Sequence, residues 1–197
     1  MKTLLRTFSV AAAMALVSVA LPAQTRTIVY GRTTISTSYF LQYVSSFNVT
    51  VTDLGGNPVQ NSATTFPVTE GAIDLQTAAG EVTHSGGYVL RGNGNSVRIE
   101  NLVLDTTTPA MPVMTAIFVV NDKLVGRLPL YQVTLPAGIS VPLQPQAGTE
   151  QINGFSLTLT RAAATLLNNA LIITEPVLQP GTAAGTADVY TILSVTN

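Results

Sequence analysis

The chain has no cysteine and no tryptophan, and a single histidine among 197 residues. Each absence closes a class of chemistry. Without cysteine there is no disulfide, no thiol nucleophile, no lipid-bearing N-terminal cysteine and no thiolate metal site. One histidine cannot assemble the three or four His, Cys or carboxylate ligands that zinc prefers. Charge is sparse as well: nine basic and ten acidic residues leave a net charge of −1, with no basic patch to engage nucleic acid. Six tyrosines and six phenylalanines are too few for the aromatic girdles of an outer-membrane barrel, or for the platforms on which sugars usually stack. The fold has to rest on its hydrophobic core.

What is present begins with an export signal. Lys2 and Arg6 precede the apolar run VAAAMALVSVALPA, which ends in small residues. That is the layout of a secretory signal peptide over residues 1–23, and it is too short to span a bilayer. No later run is long enough to be a transmembrane helix. The expected location is outside the cytoplasm: secreted, periplasmic or in the cell envelope of a bacterium.

Residues 24–197 read as one all-β domain. Alternating apolar runs recur at 27–30, 48–53, 64–69, 81–91, 96–104, 115–120, 125–135, 155–160 and 187–195, separated by Gly, Pro and Asn. Short strands at this spacing predict a mainly antiparallel β-sandwich. Asn93-Gly94 predicts a tight hairpin, and Gly86-Gly87 a bulge in its first arm. Two segments carry helical spacing instead: Phe40, Tyr43, Val44 and Phe47 in one, Ala163, Leu166, Leu167 and Ala170 in the other. Thr37 and Thr160 stand where caps belong. Each unit reads strand, Thr, short helix, strand. Residues 135–151 form a long Pro-containing connection, either a loop or a crossing between sheets.

The titratable residues suggest little chemistry. His84 alternates with Val82 along its strand and reads as a half-buried side chain bonded to backbone. No G-x-S-x-G elbow supplies a nucleophile for it. Glu70 with Asp74, and Glu100 with Asp105, are the pairs that could do glycosidase work. Asp74 reads better as a turn residue, and Glu100 as a surface partner of Arg98. No D-x-D-x-D run marks a calcium loop. The glycine-rich GNGN and GTAAG do not join a strand to a helix, so neither is a phosphate loop.

The order of three motifs resembles the HtaA-type domains of secreted bacterial haem-uptake proteins. These are Phe40-Leu41-Gln42-Tyr43-Val44, then FPVTEGAID from Phe66, then GEVTHSGGYVLRGNGN from Gly80; the late LTLTRAAATLLNNAL resembles that family's closing segment. The resemblance covers about residues 33 to 190. It implies a β scaffold and, for haem-binding members, a tyrosine and a histidine at the site. Tyr43 matches the tyrosine. At the histidine's place in the hairpin this chain has Asn93, and His84 lies nine residues upstream. The candidate cofactor-binding residues are therefore Tyr43 and His84, for haem only; otherwise no cofactor, no metal and no catalytic residue is expected.

These readings make the protein a non-enzymatic binding or structural domain with a protein or cell-surface partner. One alternative is a haem-binding domain using Tyr43. A second is self-assembly as a fibre or surface subunit, in which QTRTIVYGRTTIS from Gln24 would complete a neighbour's sheet.

Overall fold

The computed structural model describes residues 24–59, 63–108, 110–174 and 178–194. The expected signal peptide lies outside them. Ten strands and two helices follow in the order β1 (Thr25–Ser36), α1 (Ser38–Ser45), β2 (Thr50–Asp53), β3 (Ala63–Asp74), β4 (Gly80–His84), β5 (Gly87–Gly92), β6 (Asn95–Asp105), β7 (Val113–Val120), β8 (Lys123–Thr134), β9 (Thr149–Leu159), α2 (Arg161–Ala170) and β10 (Ala183–Leu193). Every alternating run in the sequence lies within or overlaps one of these strands.

All strand pairs are antiparallel, and the sheet closes on itself. From β6 the order runs β4, β3, β1, β10, β9, β8, β7 and back to β6, an eight-stranded barrel. The expected sandwich is thus corrected to a closed barrel. An apolar-in, polar-out alternation serves either architecture equally well, so the pattern could not separate them. Closure depends on where strands bend. Register shifts interrupt β1 at Ile28/Tyr30, β3 at Val68/Glu70, β7 at Phe118/Val119 and β10 at Ala187/Val189. Such bulges increase local twist and let one sheet curl until its edges meet.

The predicted bulge at Gly86-Gly87 breaks one arm into β4 and β5, both paired to β6. Gly86 has φ +94, and a Cβ on Gly87 would overlap the carbonyl oxygen of Ile99. Below the break β4 pairs with β3; above it β5 pairs with β2. Asn93 and Gly94 take φ of 52 and 77, the positive values a two-residue hairpin turn needs.

The barrel interior is packed with side chains. Ile35, Phe66, Val97, Ile99, Leu104, Phe118 and Leu157 are all buried. Outward positions such as Arg32, Thr186 and Asp188 are exposed and polar. This is the reverse of a lipid-embedded barrel, whose outer band is apolar. Among the described residues no helix is long and apolar enough to cross a membrane.

Both helices sit at one end. Ser36 at the top of β1 faces Thr186, and Leu159 at the top of β9 donates its N–H to Thr182. Thr160 caps α2 as expected: its Oγ1 accepts from Ala163 N–H at 3.2 Å and donates to Pro129 C=O at 2.5 Å. Thr37 occupies the corresponding position of α1, but its side chain does not cap the helix. The second unit departs from its reading in another way, because Leu171, Ile172 and Ile173 form a turn and not a strand. The 135–148 connection folds over the opposite end, where Leu143 N–H donates to Leu75 C=O at 2.6 Å.

Candidate functional site

His84 ends β4 with its ring buried, 1% exposed. Both ring nitrogens are engaged. Nδ1 lies 3.2 Å from the carbonyl of Leu102, which can only accept, so Nδ1 carries the proton. Nε2 is then bare and accepts from the Thr33 hydroxyl at 2.7 Å. Burial disfavours the imidazolium and pushes the pKa down to about 4, against a weaker pull from the Leu102 carbonyl. His84 is a neutral crosslink between β4, β1 and β6. A ring with both nitrogens committed has no lone pair to give a metal.

Tyr43 belongs to a different environment. Helix α1 buries Phe40 and Val44 in the core, and Phe47 is partly buried behind them. Tyr43 shares their spacing in the sequence, yet it turns away and is 41% exposed. Its ring meets Phe47 edge-on, with centroids 5.9 Å apart. The helix has only eight residues and ends before Phe47, so the apolar stripe is too short to draw all four side chains inward. Tyr43 thus presents an aromatic surface at the helical end, while His84 lies within the wall; the hydrogen bonds of His84 go to Thr33 and Leu102, and the ring contact of Tyr43 goes to Phe47. The two do not form one cluster.

Asn93, at the hairpin position where the resemblance places a histidine, has a structural task. Its Nδ2 donates to the carbonyl of Leu171 at 2.8 Å and lies 3.4 Å from that of Ile172. The side chain satisfies carbonyls at the C-terminus of α2, groups that a helix end leaves unpaired.

The carboxylates hold turns and surface pairs. Asp74 accepts from Gln76 N–H at 2.7 Å, and Asp105 accepts from the N–H and hydroxyl of Thr107. Glu100 pairs with Arg98 at 2.9 Å, as its spacing predicted. Among the described residues no three His, Cys, Asp or Glu side chains converge as a metal cage.

Sequence reasoning missed Glu150. It lines an apolar cavity at the end of the barrel away from the helices. The only hint was the long connection at 135–151 that precedes it; the cavity itself is assembled from six strands and that loop, and no local pattern announces it.

Comparison with known proteins returns structure without sequence. No protein-family model and no curated protein matches the chain. Among solved structures, the C-terminal domain of HtaA from Corynebacterium glutamicum superposes with a TM-score of 0.64 at 17% identity, covering 86% of this chain and 99% of that one. A histidine-to-alanine variant of the same domain, crystallised as a domain-swapped dimer, gives 0.53 at 18% identity over 79% and 91%. The chain is distantly similar to the HtaA-type domain, and the likeness is one of fold.

Proposed function

We propose that this chain is an exported, non-enzymatic binding domain that takes its ligand at the helical end of the barrel. The observation that carries the reading is Tyr43. It stands at the tyrosine position of the F-x-x-Y-V run and faces outward from α1, although Phe40 and Val44 beside it are buried. The overall fold is similar to that of an HtaA C-terminal domain, and the motif resemblance places a site tyrosine at Tyr43.

Haem is the ligand to test first. A phenol at the surface can supply an anionic oxygen to ferric iron, so Tyr43 would be the iron ligand. The second half of the expected pair does not fit, because Asn93 bonds the end of α2 and His84 is sealed in the wall. Any haem site here would rest on Tyr43 with aromatic support from Phe47. The rival reading is a protein or cell-surface partner that docks on the same end.

The decisive measurement is a haem titration of the purified chain from Gln24, followed at the Soret band, beside the Tyr43→Phe variant. That variant keeps the ring against Phe47 and removes the phenol. A saturable 1:1 shift that disappears in the variant supports haem carriage. A titration indistinguishable from free haem sinks it and leaves partner binding.

A further inference from the structure

The end of the barrel away from the helices holds an apolar chamber that the proposed function does not use. The strands leave a cavity of about 30 Å³ there, between Ile73, Val82, Leu104, Phe155 and Val189. The 135–148 loop covers it with Leu135 and Ile139, both partly buried against the core. On the outer side lies a polar groove of about 430 Å³. Ile139, Glu150 and Ile152 line both spaces. Chamber and groove therefore adjoin at one neck, where Ile139 stands.

The part of the loop that carries Ile139 is lightly held. Among the described residues no hydrogen bond joins 136–142 to the barrel; the bond in this stretch runs from Ile139 N–H to Pro136 C=O at 3.4 Å, within the loop. Gly138, with φ +93, supplies the positive angle of that turn. The firm anchor comes later, at buried Leu143 and its bond to Leu75. Apolar contact alone seats Ile139 over the chamber.

Glu150 supplies the chemistry of the neck. Its carboxyl is half-buried, and among the described residues no cation lies within ion-pair distance and no donor bonds it. Burial accordingly holds its pKa above the ordinary carboxylate value. The other polar groups of the lining are spent: Thr106 donates to the carbonyls of Ala78 and Gly80, and Thr191 to that of Glu150. An apolar chamber with one uncompensated acid at its mouth complements an apolar body bearing a cationic head.

We propose that this end of the barrel binds a small primary amine with an apolar tail. The tail takes the space that Ile139 vacates as it swings outward, since the chamber of about 30 Å³ alone holds little more than a methylene group, and the ammonium rests on the Glu150 carboxylate. The site lies at the opposite end from Tyr43 and does not depend on the haem reading.

Calorimetric titration with hexylammonium and, separately, hexanol tests it on the purified chain from Gln24. Hexylammonium is expected to bind 1:1, and hexanol roughly ten-fold more weakly or worse, since a charge-assisted bond is lost. Glu150→Gln keeps the shape of the neck and should bring hexylammonium down to the level of hexanol. Ala78→Phe, which fills the chamber, should abolish binding of both; Glu150→Gln carries the test alone if that variant does not fold. Equal affinity for the two probes, unchanged hexylammonium binding in Glu150→Gln, or no saturable heat would each overturn the proposal.

Discussion

At the scale of single residues, His84 shows how a lone titratable group becomes part of a core. Its neutral ring accepts one hydrogen bond and donates another inside the wall, so protonation would bury a charge and cancel the bond from Thr33. The folded pKa of about 4 lies below the unfolded value near 6.5. The unfolded chain therefore binds the extra proton first as pH falls. Stability from this group is complete above pH 6.5 and is lost progressively between about pH 6.5 and 4, a change of roughly 3 kcal/mol. Urea midpoints measured across that range should fall steeply for the natural chain. The His84→Leu variant should be less stable at neutral pH yet lack this component of the acid slope; parallel profiles would show that His84 is not the titrating group.

Elements in this fold are fixed by their ends as much as by their interiors. The hydroxyl of Thr160 serves two elements at once, since it accepts from the first turn of α2 and donates to Pro129 of β8. Thr160→Ala should cost about 1–2 kcal/mol, the upper part of the range for a lost cap, because it also strands the Pro129 carbonyl. Thr160→Ser should restore most of it in the same denaturation experiment. At the other end of α2, Asn93 holds the helix to the β5–β6 hairpin. That role explains why asparagine suits this position: it tolerates the positive φ of the turn and still reaches a helix carbonyl.

For the molecule as a whole, β1 is the strand that decides assembly. It is hydrogen-bonded to β10 on one side and, at both of its ends, to β3 on the other, so most of its polar edge groups are filled within its own barrel. A chain that closes in this way has no vacancy for a neighbour's copy of the same strand, although the structurally similar HtaA variant forms a domain-swapped dimer. A synthetic peptide of residues 24–36 should not bind the intact chain from Gln24. A chain shortened to begin after Ser36 should lose its native circular dichroism, and adding the peptide should recover it. Peptide uptake by the intact chain would instead favour assembly by strand exchange.

The sequence by itself determined the elements. Alternation located all ten strands, with β4 and β5 read as one; helical spacing located α1 and α2; and Asn93-Gly94, Gly86-Gly87 and Thr160 marked a turn, a break and a cap. These are local signals, because side-chain periodicity and positive φ are properties of short stretches. Tertiary structure decided the rest. Whether the sheet closed depended on bulges spread over several strands, and a sandwich needs the same alternation. Tyr43 turned outward because α1 is too short to bury every residue of its stripe, which depends on what α1 packs against. Glu150 gained its place beside an apolar chamber only when distant strands and the 135–148 loop met around it. Burial and the loss of water are set by the whole fold, and it is these that separate a surface carboxylate from a candidate site.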